Sequence, residues 1–370
     1  MNQKVLPELN QIPAQIASVR DYETYAQQRM SAGAWAYFSG GAADEQTLND
    51  NLASYQRYGL WPAALASLRN AHTRTELLGQ TLEYPIILAP IAYQRMAHPD
   101  GELATVLAAG AMQAAAIISM QASYRIEDIA AQAHGPLWLQ WYWQSDKAFM
   151  LDLLSRARDS GYQAIVFTVD APVNGVRNRE QRAGFSLPAG VEAVNLRASQ
   201  QVTSVHGAAG TSPLFGSGLV EHAPDWSDLA WLVQHSPLPV IVKGLMRPQD
   251  VRRAEQAGVA AVIVSNHGGR TLDGAPAALD VLEAVVNVAT VPVLMDGGIR
   301  RGTDILKALA LGAKAVLLGR PYVYALAAAG PRGVAHVLHL LRAELEVAMA
   351  LTGCARISDI SPQVLYRHSR

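Results

Sequence analysis

The stretch Val291–Pro321, VPVLMDGGIRRGTDILKALALGAKAVLLGRP, decides the fold. It opens on an apolar run that stops at Asp296-Gly297-Gly298 and closes on a second run that stops at Gly319-Arg320. Between them apolar residues recur at helical spacing, so the unit reads strand, helix, strand. Neither strand alternates apolar with polar residues, which marks strands buried on both faces in a parallel sheet covered by helices. Six runs of the same kind precede it: Tyr84–Ala92, Ala115–Met120, Pro136–Tyr142, Ala164–Pro172, Pro239–Gly244 and Ala261–Gly269. Eight βα units of about 30 residues fit the roughly 250 residues of a (β/α)8 TIM barrel. A doubly wound open sheet is expected to carry G-x-G-x-x-G after its first strand, where this chain has IAYQRMAHPDG.

The predicted fold class is therefore α/β, one barrel domain over residues 1–370. A helical extension (1–80) precedes the barrel (84–353), with helical patterns at Tyr22–Arg29 and Thr47–Tyr55, and Gly333–Leu351 closes the ring. The connection from Val173 to Leu238 carries about 40 surplus residues, placed at 183–225. Its Ser-, Gly- and Ala-rich middle, Ser199–Gly218, predicts a mobile flap over the barrel mouth.

Composition narrows the partners. The chain has 30 Lys plus Arg against 31 Asp plus Glu, and half its residues are apolar, which excludes a disordered chain. Without a basic block there is no electrostatic footprint for nucleic acid or an anionic membrane, so small molecules are the expected partners. One cysteine, Cys354, allows no intrachain disulfide and no zinc cluster, which fits a cytoplasmic protein. The N-terminal segment has no apolar block of the signal-peptide kind. Leu103–Met120 reads as a buried helix followed by a strand, not as a membrane span.

Barrels of this kind carry their chemistry at the C-terminal ends of the strands. Here those ends hold Ser119, then Gln140 and Tyr142, Thr168 and Asp170, Lys243, then Ser265, Asn266 and His267, then Asp296 and finally Arg320. Asp296-Gly297-Gly298-Ile299-Arg300 and Gly319-Arg320 end strands seven and eight, where barrels commonly bind phosphate. Glycines admit backbone N–H groups to the oxygens and arginine supplies planar charged donors. A left-handed turn beside a surface arginine is the structural alternative. His267, titrating near neutrality, is the candidate general base, and Asp170 its partner or an ordinary loop cap. No histidine pair has zinc-ligand spacing, so no metal is expected.

SNHGGR, DGGIRRGTDILKALALGA and LGRP, with TVDAP, VKG and YFSGGAADEQTL upstream, resemble the FMN-dependent 2-hydroxy acid oxidizing enzymes over essentially the whole chain. The resemblance implies FMN. It places the backbone of Pro90, Ile91 and Ala92, with Ser119, Gln140, Thr168 and Ser265, around the isoalloxazine ring and Lys243 at its N1 and O2 edge. It places Asp296 on the ribityl chain, and Gly297, Gly298, Arg300, Gly319 and Arg320 around the phosphate. His267 becomes the base, supported by Asp170; Arg177 and Arg270 grip the substrate carboxylate, and Tyr37 and Tyr142 bind substrate oxygens. Electrons leave the substrate either as a hydride or after removal of the α-proton, and both routes need the same base.

Met120 and Gln121 follow Ser119 where such enzymes often place an aromatic residue, so the pocket is expected to differ in shape. Tyr93 resembles hydroxymandelate oxidases, whereas GVRNRE around Arg177 is closer to lactate oxidases. The resulting expectation is oxidation of a small, lactate-like L-2-hydroxy acid to the 2-oxo acid, with O2 reduced to H2O2. Ala92 and an insert without apolar or basic anchors favour a cytoplasmic oxidase. The terminal RHSR lacks a peroxisomal address, and the resemblance implies a homotetramer. The alternatives are a mandelate-type or quinone- or protein-coupled dehydrogenase and, outside redox chemistry, an aldolase or isomerase using Lys243 as a Schiff base.

Overall fold

The computed structural model describes residues 5–196, 214–215 and 220–367. Eight short strands form a closed parallel barrel: β1 (Ile86–Leu88), β2 (Ala115–Ser119), β3 (Leu137–Trp141), β4 (Ile165–Thr168), β5 (Val240–Lys243), β6 (Ala261–Val264), β7 (Val293–Asp296) and β8 (Ala315–Leu318). Neighbours pair in sequence order and β8 closes on β1 through Val316 and Ile86. The strands are shorter than the apolar runs because the run ends continue past the hydrogen-bonded ladder into the loops.

Both faces of each strand are apolar, but they face different cores. Ile87, Ala115, Ile117, Trp138, Val166, Ile241, Ile263, Leu294 and Leu317 form one cluster inside the barrel. The alternate residues, among them Ile118, Leu139, Phe167, Val242, Val264 and Met295, join the larger cluster under the surrounding helices. Side chains along a strand alternate with period two, so the next inward position after each interior residue is fixed. At the C-terminal ends it is Ser119, Gln140, Thr168, Lys243, Ser265 and Asp296, all nearly inaccessible. Thus the pleat that fills the barrel with hydrocarbon also aims six polar side chains into its mouth.

The N-terminal extension departs from the expected all-helical reading. Helices α1 (Tyr22–Gln27), α2 (Ala32–Ser39) and α3 (Gln46–Ala53) are present, but a two-stranded antiparallel hairpin, Thr75–Leu77 with Gln80–Leu82, follows them. Leu77 and Leu82 alternate with polar residues over too few positions to be read as strands, yet both pack into the interior cluster and cap its lower end. A further ribbon pairs Tyr58–Leu60 with Leu365–Arg367. The closing helix starts earlier than expected, at Arg320, and runs to Leu351 with a break at Ala329 and Gly330 just before Pro331. The predicted flap Ser199–Gly218 lies outside the described residues apart from 214–215. Among the described residues no helix is long and apolar enough to cross a membrane.

Leu82 is 4% exposed, so Leu82→Ala should lower stability by about 2–5 kcal/mol through lost transfer energy and the cavity left behind. The shift in urea midpoint measures it, and an unmoved midpoint would show that the hairpin does not seal the barrel core.

Candidate active site

The mouth is organised around the loop Ser265–Gly269. His267 adopts a left-handed backbone (φ 58°), and Gly268 and Gly269 continue it. Such conformations are uncommon outside glycine and persist where the surroundings enforce them. The enforcing groups are visible: Ser265 Oγ accepts the His267 N–H at 3.0 Å, and Asn266 Oδ1 accepts the Gly269 N–H at 3.1 Å. Asn266 is in turn locked to Asn51 of α3 by two reciprocal amide hydrogen bonds of 2.9 Å.

This loop presents the imidazole between an acid and a phenol. His267 Nδ1–H donates to Asp170 Oδ1 at 2.7 Å, leaving Nε2 toward the Tyr142 hydroxyl at 3.5 Å. A histidine with one nitrogen fixed by a carboxylate exposes the other as a proton acceptor. Asp170 reaches the ring because Gly244 lies against it: a Cβ on Gly244 would stand 2.6 Å from Asp170 Cβ. Burial alone would raise the Asp170 pKa, but the nearby imidazole and Lys243 outweigh it and hold the carboxyl below its ordinary value. Burial pushes the Tyr37 and Tyr142 hydroxyls well up, so both remain proton donors at neutral pH.

Arg177, Arg270 and Tyr37 lie near the Tyr142 hydroxyl, on which all three act electrostatically. Arg270 donates from one guanidinium nitrogen to the carbonyls of Tyr37 (2.5 Å) and Gly40 (2.8 Å), and its charge stands 5.0 Å over the Tyr37 ring. Arg177 Nε is buried and has no hydrogen-bond partner among the described residues. Both guanidiniums contact Glu180, which the sequence reading did not select.

A second set lines the strand ends and meets the first at Ser265. Ser119 Oγ donates to Gln140 Oε1 (2.9 Å), whose Nε2 donates to Thr168 Oγ1 (3.1 Å). Lys243 Nζ donates to Ser265 Oγ (2.8 Å) and pairs with Asp296 at 3.1 Å. Burial would lower the Lys243 pKa, but Asp296 and Asp170 prevail and raise it, so the group is an ammonium. That direction runs against the Schiff-base alternative, which needs a free amine.

Toward β7 and β8 the donors change character. Gly298 has φ 81°, and a Cβ there would strike the Asn51 carbonyl at 2.0 Å. Tyr55, just after α3, donates to the Gly297 carbonyl at 2.8 Å. Arg300 donates to the Ile299 carbonyl and Arg320 to the carbonyls of Phe38, Gly40 and Gly268. Among the described residues neither guanidinium makes an ion pair, and burial pushes Arg320 down to about 10. Both lie near Tyr324, and the Arg300 charge adds to the lowering of Arg320. Ile91, in the loop after β1, is 3.8 Å from where a Cβ on Gly319 would lie, so Pro90–Ala92 adjoins this end.

The FMN-dependent dehydrogenase family model matches residues 26–367. The chain belongs to this family. It is 46% identical over 358 residues to an L-lactate oxidase of Alicycliphilus denitrificans, covering 96% of this chain and 98% of that protein. An L-lactate oxidase of a Roseobacter species is 47% identical over 350 residues, covering 94% of each. A solved mandelate oxidase structure with (S)-2-phenylpropionate aligns with a TM-score of 0.85 at 38% identity, covering 95% and 98% of the two chains. The barrel mouth fits FMN on its own terms. Arg300 and Arg320 carry positive charge without a carboxylate beside a glycine-lined strand end, as a phosphate requires. Asp296 Oδ1 is buried without a partner, as an acceptor for a ligand hydroxyl would be.

Because Asp170 is depressed in the folded state, its stabilisation is present above its unfolded pKa near 4 and is lost as pH falls through the folded value. Asp170→Asn should flatten that acid-side loss. Urea midpoints from about pH 3 to about pH 6 test this, and parallel curves for the two proteins would count against the pairing.

Proposed function

We propose that this chain is an FMN-dependent oxidase that converts a short, lactate-like L-2-hydroxy acid to the 2-oxo acid and O2 to H2O2. The observation that carries the reading is the Asp170–His267–Tyr142 array facing two largely buried guanidiniums, Arg177 and Arg270. Bound FMN supplies the two-electron acceptor that no side chain can provide. In this reading Arg177 and Arg270 take the substrate carboxylate, with the free Arg177 Nε as one donor. Tyr37 and Tyr142 hold the substrate oxygens, and His267 Nε2 accepts the proton while Asp170 stabilises the resulting imidazolium. A small acid offers few handles, so fixing its carboxylate is the main means of aiming its Cα–H.

The flavin positions in this proposal are those the family resemblance implies. Pro90, Ile91 and Ala92, with Ser119, Gln140, Thr168 and Ser265, would hold the ring, and Lys243 would offset negative charge at the N1 and O2 edge. Asp296 would take the ribityl hydroxyls; Gly297, Gly298, Arg300, Gly319 and Arg320 would surround the phosphate. The lactate preference draws on the relatives named L-lactate oxidase. A second reading, an aryl acid, draws on Tyr93, whose ring meets Tyr37 edge-on at 6.2 Å, and on the mandelate oxidase likeness. Oxygen as acceptor draws on the oxidase names and on Ala92. A cytoplasmic homotetramer built from one barrel domain completes the proposal. The lone, buried Cys354 supports the compartment, and light scattering tests the assembly.

Anaerobic mixing of the flavin-loaded protein with L-lactate, glycolate and L-mandelate should bleach the flavin fastest with L-lactate. Mandelate reducing it faster would favour the aryl reading, and no bleaching with any of them would overturn the proposal. His267→Gln should retain flavin and slow its reduction by about 10²–10⁴-fold; reduction at the parental rate would remove His267 as the base.

A further inference from the structure

Among the described residues, Glu180 is the one carboxylate that pairs with both clamp arginines. Its Oε1 lies 3.3 Å from Arg177 Nη1 and 3.0 Å from Arg270 Nη2, and its side chain is only 13% exposed. The other charges around the mouth are already engaged. Asp170 faces His267, Asp296 faces Lys243, and Glu45 pairs with Arg179. Two guanidiniums brought this close repel each other: burial first and the Arg177 charge next lower the Arg270 pKa, with Tyr37 and Glu180 opposing. Arg270 is fixed by backbone carbonyls besides, whereas among the described residues the Arg177 side chain bonds Glu180 alone. Within those residues, Glu180 is what holds Arg177 beside Arg270 before a substrate arrives.

We propose that Glu180 is a positioning residue that holds the two guanidiniums together as a preformed clamp for a monocarboxylate. The inference rests on the reading of Arg177 and Arg270 as the carboxylate-binding pair. Glu180 sits on the short helix Asn178–Arg182, three residues after Arg177, so one backbone segment sets both the cation and its counter-charge. The Phe185 ring stacks on Tyr37 at 5.0 Å, and its N–H donates to the Glu180 carbonyl, which ties this segment to the floor of the clamp. The bridge prepays the ordering of Arg177, so it acts on substrate affinity and leaves proton transfer at His267 Nε2 to the Asp170 pair.

The test is anaerobic flavin reduction by L-lactate and by its uncharged methyl ester in the flavin-loaded protein and in Glu180→Gln, Glu180→Met and Glu180→Asp. The apparent Kd for lactate should rise about tenfold or more in the Gln and Met variants. The limiting reduction rate should stay within about threefold, and the response to the ester should not move. Glu180→Asp, which keeps the charge, should recover most of the affinity. An unchanged lactate Kd, an equal loss for lactate and ester, or loss of flavin and fold in both neutral variants would overturn the proposal. If the parental protein itself fails to respond to lactate, the functional reading fails first, and the two failures are told apart.

Discussion

Positive charge brought out of water must be answered, and at this barrel mouth the answers differ from one cation to the next. Lys243 has Asp296, and Arg177 and Arg270 share Glu180. Among the described residues, the side-chain hydrogen bonds of Arg300 and Arg320 go to carbonyl oxygens. Leaving a cation without a counter-ion in a protein interior is unfavourable, and removing one partner of a buried pair is more so. The carboxylates therefore divide the mouth. One half pairs its charges internally around His267; the other leaves its positive charge without a paired carboxylate among the described residues. The proposed phosphate end and the proposed substrate end differ in this pattern of pairing before any ligand is considered.

The division depends on the strand pleat. Each strand sends alternate residues into the barrel, so a single position past the last interior hydrocarbon decides what enters the mouth. Moving any strand by one residue would send Lys243 or Asp296 toward the helices and a Val or Met inward. The interior cluster pins the register, because Ile241 and Leu294 are buried on the same parity as Lys243 and Asp296. Packing and chemistry are thus selected together, and the polar residues need no separate device to aim them.

This coupling explains what could be read without coordinates. The eight runs, their order and the polar strand ends follow from hydropathy, and the resemblance to a flavoenzyme family named the roles of His267, Arg270 and Lys243. Glu180, Asn51 and Tyr55 were not legible. Glu180 stood three residues after a named arginine, a spacing that on a helix reads as an ordinary surface pair. Asn51 lies more than two hundred residues from the loop it holds, and no periodicity records a contact of that kind. The hairpin at 75–82 was missed because two strands of three residues carry too little pattern to separate from a loop.

Those long-range contacts make the extension part of the site. Asn51 locks Asn266, Tyr55 bonds the Gly297 carbonyl, and Tyr37 with the Gly40 carbonyl holds Arg270. Each tie joins the first 60 residues to a loop after β6 or β7. Loop geometry at a barrel mouth is weakly determined by the strands alone, because a few residues can leave a strand end in several directions. Here α2 and α3 select one of them, including the left-handed backbone at His267, and the glycines at 269 and 298 let α3 come close enough to do so. The barrel supplies the direction of the side chains, and the docked extension supplies the loop conformation that adds His267 and Arg270 to the ring of polar strand ends.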